Sequence, residues 1–531
     1  MKIKTLGALM CFSSCGIMKP ERVKAHIDKL AQMGYNYLEL CTDDTYKIEE
    51  EPYFGYLRGG YTKDEIKDMD AYAKSKGIEL VPCVQTLAHQ TNLVKLPHYA
   101  DIVDIDNILL VDEPKTYELI ENMFKTLREC YSTDKVNIGF DEAHKIGRGR
   151  FLDKFGYQDR FEILLRHLNR VVDIAKKYGF KVHMWSDMFF RLAFDGRYEV
   201  KDAVLPDIVK EKIPEGVALT MWAHPEDAEV FDSMITSHEQ IGRELWITLN
   251  AGKSSNGYAP FNKLCIEEYD KYFKYIEKHG VENLFFTLWD DENNECPYDN
   301  AIVSLYTASQ YAKGNFDMVS IKKGFKEMFG VEFDDIMLHD LPNKYKSNPD
   351  LTKFICACKT MLFNDCFVGW KDSMIERELP IDYDEMARTL EDAVKRTGEY
   401  SYITDMYAKL CRALEYKHDL GLRTRKAYKA GDKAELGKLV GRYEECAKRI
   451  KIFKDAFRKN WMYNNKPYNW EVHEIRLGGL ISRVMDCRDR LIEYLDGRVD
   501  CIPELNETIL PYAEWGLQYN LYKGLVTLNE L

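Results

Sequence analysis

The chain has 531 residues, too many for one ordinary domain, and its 45% hydrophobic and 13% aromatic content is ample for large cores. A formal net charge of −13 argues against a nucleic-acid partner and against docking on an anionic membrane. Fourteen cysteines are scattered without a CxxC pair, and Cys11, Cys41 and Cys83 fall inside apolar runs, the pattern of reduced, buried thiols in a cytoplasmic protein and not of a structural zinc site.

At the start, Lys2 and Lys4 ahead of LGALMCFSSC imitate a short signal peptide. The apolar run sits at the low end of the ~7–15 residues of a secretory core. Residues 2 to 12 have a better use as a first strand, so no export is expected. No run approaches the ~18–20 apolar residues of a membrane span. From there to about residue 335, strand-like and helix-like segments alternate. The candidate strands are IKTLGALMCF, YNYLELC, IELVPCVQT, KVNIGFDEA, FKVHMWSD, VALTMWA, ELWITLN and NLFFTLWDD. Between them lie helical patterns: Val23, Ile27 and Leu30 after Pro20; Ile66, Met69 and Ala73; Leu119, Met123 and Leu127. Pro20 in a first turn and Gly34 after a last one are boundary signals. Eight strands in this alternation predict an α/β fold, a (β/α)8 TIM barrel over residues 1–338. A doubly wound sheet competes, but no GxGxxG or GxxxxGK follows an early strand.

Past residue 345 the strand patterns stop. Met386, Leu390 and Val394, then Leu436, Leu439, Tyr443, Ala447 and Ile450, then Leu477, Leu480, Ile481, Val484 and Leu491 keep helical spacing. They predict a C-terminal α-helical domain over 345–531, with its boundary in the polar stretch 339–350. That domain could mediate a homodimer.

In such barrels reactive groups gather at the C-terminal ends of the strands. Strand two ends in Thr42, Asp43 and Asp44; strand three in Gln85 and Thr86, with His89 shortly after; strand four in Asp141 and Glu142. Strands five, six and eight end in Trp185, Trp222 and Trp289, and strand seven leads into AGKSSNGYAP, with Asn256 and Tyr258. Singly, each has a plain structural use: tryptophan as packing, Asp43 and Asp44 as caps, His89 as a core residue. Together, carboxylates and an aromatic enclosure at one mouth make a carbohydrate site, since ring faces stack on sugar CH surfaces while acids bind hydroxyls and move protons. The rival use is a divalent metal held by Asp43, His89, Glu142 and His183, although no HExxH or His-x-His is present.

Within VNIGFDEAHKIG, residues 136–147, Asp141 and Glu142 are adjacent, and a plain strand would send one of them into the core. Neighbouring acids serve poorly as nucleophile and acid on opposite faces of a sugar. They suit substrate-assisted glycoside hydrolysis, where the sugar's own 2-acetamido oxygen attacks, one carboxylate steadies the acetamide and the other protonates the leaving oxygen.

IGFDEAH, with LELCTDDTY, VPCVQTLAHQ, HMWSDM and FFTLWDD in this order, resembles glycoside hydrolase family 20, the β-N-acetylhexosaminidases. The stretch from PYFGYLRGG to QTLAH, and NKPYNWEVHEIRLGGLISR at 465–483, resemble its cytoplasmic subgroup, which lacks an N-terminal α/β domain and carries a helical tail. The resemblance implies Asp141 as the acetamide-orienting carboxylate, Glu142 as general acid/base, and Asp43 and His89 as the pair that tunes it. It implies Trp185, Trp222 and Trp289 as an aromatic box, Asp291 as a hydroxyl ligand and Tyr258 as the contact to the acetamide oxygen. The family's first-strand arginine is missing from IKTLGALMCF, so Glu39, Asp44 or Arg58 is expected to replace it. Lys253 and Ser255 stand where the subgroup's strand-seven loop carries tryptophans. The expected substrates are β-linked N-acetylhexosaminide oligosaccharides or glycoconjugates, with no cofactor, no metal, no nucleic acid and no membrane. A metal-dependent sugar isomerase or other barrel enzyme and a non-catalytic glycan-binding protein are the alternatives.

Overall fold

Every run whose alternation predicts a strand belongs to one closed sheet. A computed structural model describes residues 3–511 and 521–529. Its barrel strands are β1 (Thr5–Cys11), β2 (Tyr37–Cys41), β3 (Glu79–Cys83), β4 (Lys135–Asn137), β5 (Lys181–Trp185), β6 (Ala218–Met221), β7 (Leu245–Asn250) and β8 (Asn283–Leu288). Each neighbours the next in the chain and β8 closes on β1, in parallel throughout. This is the expected (β/α)8 barrel.

Parallel neighbours need crossovers, and the apolar stripes supply them. Helix Pro20–Met33 starts on its proline, ends on left-handed Gly34 and buries Val23, Ile27 and Leu30. Helix Lys63–Ser75 opens with a capping box between Thr62 and Glu65 and buries Ile66, Met69 and Ala73. Helix Pro114–Cys130 does the same with Leu119, Met123 and Leu127. One element was not anticipated, an antiparallel hairpin of Val103–Ile105 with Ile108–Leu109, too short for its alternation to register.

Inside the barrel Tyr37, Trp246 and Phe285 fill one level, with Tyr37 and Trp246 ring centroids 5.0 Å apart. Nearer the C-terminal ends, Cys11, Cys41 and Cys83 stand in register on β1, β2 and β3 beside Trp185. The barrel is therefore a filled core, and chemistry is confined to its mouth.

Beyond the barrel the described elements from Ala357 to Val526 are helical. The two longest, Lys433–Asn464 and Trp470–Leu495, lie side by side and bury Leu436, Leu439, Tyr443 and Ile450 from one and Leu477, Val484 and Leu491 from the other. Val394 falls one residue past the helix Tyr383–Ala393 that it was expected to join. The end of the predicted helical domain, at 512–520 and 530–531, lies outside the described residues. Among the described residues no helix is long and apolar enough to cross a membrane.

Gly7 shows how tightly the barrel closes. A Cβ built there would lie 2.6 Å from Tyr37 Cδ1 and 2.9 Å from Phe285 Cβ. Gly7→Ala therefore overpacks the barrel, and urea unfolding should show a loss of about 1–3 kcal/mol.

Candidate active site

The puzzle of Asp141 and Glu142 is solved by the backbone. The run KVNIGFDEA reads as one strand, but β4 stops at Asn137, and Gly139, Phe140 and Glu142 take left-handed φ angles of 75°, 77° and 51°. Alternation ends with the strand, so adjacent acids no longer point to opposite faces. One imidazole nitrogen reaches both: His89 Nε2 lies 3.1 Å from Asp141 Oδ2 and 3.8 Å from Glu142 Oε2.

Each acid is held differently. Gln85 Nε2 donates to Asp141 Oδ1 at 2.9 Å. Burial alone would raise the Asp141 carboxyl, but the nearby His89 cation and the Gln85 amide outweigh it and hold it below the usual carboxylate range. Burial likewise would lower His89, yet Asp141, Glu142 and Asp43 together push the imidazole up to about 10. Glu142 is more open, its side chain 38% exposed, with Oε1 3.3 Å from Arg191 Nη2. The Glu142 backbone N–H donates to Asp187 Oδ2 at 3.2 Å, and Arg191 Nε donates to that same oxygen at 2.7 Å. Asp187 is fully buried and is pushed up to about 7, by burial first and by Asp141 next, against the pull of Arg191.

Asp43 is half-buried with a left-handed φ of 41°. Burial pushes it up to about 7 against the His89 cation. Its one described hydrogen bond comes from Cys41 Sγ, at 3.8 Å. It thus acts on His89 through the field, whereas the close partner of His89 is Asp141.

The three tryptophans all pack on the barrel's inner cluster. Trp185 and Trp289 have ring centroids 5.3 Å apart at 56°, and Trp222 lies 5.1 Å from Tyr198. Asp291, exposed beside Trp289, senses both Glu142 and His89, and its backbone N–H donates to Ser255 O at 2.9 Å. Lys253 Nζ donates to Trp289 O at 2.7 Å. Across the mouth Arg58, buried and paired with Asp44, donates to the carbonyls of Ser13 and Ser14 at 2.6 and 2.7 Å. Those two carbonyls lie just past the end of β1.

Two expected ligands are not at the mouth. Tyr258 is fully buried against Phe363, Phe453 and Phe457 of the helical region, because its ring is the apolar partner that those helices need. Glu39 lies inside the barrel: Tyr37 Oη donates to it at 2.8 Å, Asn137 Nδ2 at 3.0 Å, and His183 Nε2 is 3.4 Å away. Burial pushes Glu39 up to about 7 and His183 down to about 3, so the pair is structural and His183 is withdrawn from the metal set considered above. Among the described residues no three His, Cys, Asp or Glu converge as metal ligands. Sequence reasoning missed Gln85's bond to Asp141, and missed Asp187 and Arg191 altogether. The last two had a signal, an acid and an arginine four residues apart on the helix after Trp185.

Residues 14–241 match the catalytic domain of glycosyl hydrolase family 20, and residues 334–519 match the glycoside hydrolase 20C C-terminal domain. The chain belongs to glycoside hydrolase family 20. Residues 242–333, with β7 and β8, lie between the two matches. Hexosaminidase D of Bos taurus is 22% identical over 193 residues, 34% of this chain and 53% of the relative. A probable beta-hexosaminidase of Arthroderma benhamiae is 21% identical over 250 residues, 41% of this chain and 38% of the relative. The chain thus spans about half or less of the length of these relatives. Among solved structures, the chitobiase of Flavobacterium johnsoniae is 16% identical with a TM-score of 0.48, covering 94% of this chain and 73% of its own. The exo beta-N-acetylglucosaminidase of Vibrio harveyi, in complex with N-acetylglucosamine, is 16% identical with a TM-score of 0.47, covering 62% and 58%.

His89 supplies a test of this family 20 site. Its cation keeps Asp141 ionised as the pH falls. Without it Asp141 protonates at higher pH, so His89→Ala should move the acidic limb of the kcat/KM profile upward, besides lowering its height. A profile of unchanged shape would leave His89 a packing residue.

Proposed function

We propose that the chain is a retaining exo-β-N-acetylhexosaminidase, releasing terminal GlcNAc or GalNAc by substrate-assisted catalysis. The observation that carries this reading is the acid pair itself, two neighbouring carboxylates turned to one imidazole nitrogen, 3.1 and 3.8 Å away. Two acids on one side of a reacting centre leave the opposite face to a nucleophile that the protein does not supply.

The acetamide oxygen of the bound sugar attacks the anomeric carbon as the glycosidic bond breaks. Asp141, kept ionised by His89, accepts the acetamide N–H and balances the positive charge that grows on the oxazolinium ring. Glu142 gives its proton to the leaving oxygen, then takes one from the water that opens the ring, so two inversions return the original anomer. Trp185, Trp222 and Trp289 enclose the acetamide and the sugar ring, and Arg58 and Asp291 take the hydroxyls. In place of Tyr258, Asn250 is taken as donor to the acetamide oxygen: it ends β7, and its Oδ1 accepts from Thr287 Oγ1 at 3.2 Å, so its Nδ2 is the group proposed to meet the ligand. This chemistry calls on no cofactor.

Glu142→Gln should keep the fold and lower turnover on natural disaccharides by at least the roughly 10²–10⁴ that general acid help contributes. Aryl glycosides with activated leaving groups should suffer less, and equal losses on both would count against Glu142 as the acid.

A panel of nitrophenyl β-glycosides tests the nucleophile. Plain glucosides and galactosides lack the acetamide and forfeit an intramolecular advantage of roughly 7–11 kcal/mol at its upper range. With EDTA present, only N-acetylated sugars should be cleaved. A thiazoline mimic of the oxazolinium ion should bind tightly, and less so to Asp141→Asn, which lacks the charged partner. Brisk cleavage of the plain glucoside would overturn the mechanism.

A further inference from the structure

The two hydroxyl-binding poles of the pocket, Arg58 on one side and the Trp289–Asp291 loop on the other, are both held from outside the barrel by one stretch of the helical region, Tyr468–Arg476. On the first side the Tyr468 ring lies against Gly59: a Cβ built on that glycine would fall 2.3 Å from Tyr468 Cδ2. Asn469 Nδ2 donates to Arg58 O at 3.4 Å, and Asn469 O accepts from Cys15 Sγ at 3.6 Å. On the second side, one and two helical turns further along the chain, His473 Nε2 donates to Asn293 O at 2.7 Å. Arg476 places Nη2 3.2 Å from Glu292 and Nη1 3.5 Å from Glu295.

Glu292 follows Asp291 directly in the loop, and Glu295 comes three residues later. Both are buried, and Lys359 of the helical region pairs with each, 2.7 Å from Glu295, while it donates to Asn256 O at 3.1 Å. Two buried carboxylates thus meet two cations, both cations from the helical region. Buried ion pairs recover their desolvation cost only in good geometry, so they contribute little net stability, and fixing one geometry is their best-supported use. The acid pair is braced by Gln85, His89, Asp187 and Arg191, all from the barrel. Sugar placement and proton transfer are therefore supported by different parts of the molecule.

We propose that Arg476, with Asn469 and His473, positions the sugar-binding poles: this segment sets the separation of Arg58 and Asp291, and with it which C4 hydroxyl configuration of an N-acetylhexosamine the pocket accepts. The inference rests on the hexosaminidase reading above. A positioning role of this kind appears in KM and in sugar choice, not in the proton-transfer steps.

The test compares the wild type with Arg476→Met and Arg476→Lys in the full chain, on nitrophenyl β-GlcNAc and β-GalNAc. Arg476→Met should raise KM about tenfold and change the GlcNAc:GalNAc ratio of kcat/KM about threefold or more, while the pH limbs and the leaving-group sensitivity stay in place. Arg476→Lys should restore most of both. If Arg476→Met does not fold, Asn469→Ala carries the test and must raise KM with kcat retained, and wild-type KM and sugar ratio in that variant overturn the proposal. A folded Arg476→Met with wild-type KM and sugar ratio overturns the proposal, as does a loss confined to kcat with a shifted pH limb. Should the wild type cleave plain glycosides instead, the substrate-assisted reading falls, and the same KM comparison on those sugars still decides the role of Arg476.

Discussion

The site depends on the early end of one strand. β4 is only three residues long because Asn137 gives its side chain to its neighbours: its Oδ1 accepts from Gly139 N at 3.0 Å and its Nδ2 donates to Glu39. The left-handed turn that follows needs Gly139 twice over. Its φ is one that glycine adopts without steric cost, and a Cβ there would fall 2.0 Å from Gln85 Oε1. Gln85 is the amide that donates to Asp141, so the space left by one missing side chain is what lets the two acids be held together. Glu39 enters here as the buried end of an anchor, Glu39 to Asn137 to Gly139, and not as a sugar ligand.

Around that turn the charges divide into two sets that share one histidine. Asp141 is set by His89 and Gln85, Glu142 by Arg191 on its Asp187 base, and His89 reaches across both acids. On the proposed reading a cationic His89 keeps its proton, and Glu142, the more exposed acid, is the group assigned to exchange protons with a leaving group and with water. Asp141, half-buried and held ionised by His89, fits the proposed role of a fixed negative charge beside which positive charge develops. Two carboxylates thus acquire separate surroundings, which suit them to the separate tasks proposed.

What the sequence disclosed followed from how local its cause was. Strand alternation, apolar helical stripes and tryptophans at strand ends are local patterns, and they led to all eight barrel strands and to the aromatic mouth. Depth along a strand is not local: Glu39 faces inward as its alternation implies, but two residues before the end of β2, where it is fully buried among Tyr37, Asn137 and His183. Tyr258 failed for a longer-range reason. Its loop AGKSSNGYAP is polar and Gly-rich, and the side it faces is decided by Phe363, Phe453 and Phe457, more than a hundred residues away. The reach of KVNIGFDEA was overestimated because Ile138 and Phe140 continue the apolar alternation into backbone that has already left the strand.

The departure at the strand-seven loop shows how such a difference can be absorbed. Where the resembled subgroup carries tryptophans, this chain has Lys253, which is buried, places its ammonium 4.7 Å from the Tyr298 ring centroid and donates to the Trp289 carbonyl. A buried cation needs anions, and Asp290 and Asp291 stand next to it; burial pushes Asp290 up to about 7 while Lys253 pulls it back down. Trp289 is therefore held twice, at its backbone carbonyl by a charged hydrogen bond from Lys253 and at its ring by packing on Trp185. A lysine that looks misplaced in an aromatic loop thus ties the strand-seven loop to the Trp289 backbone.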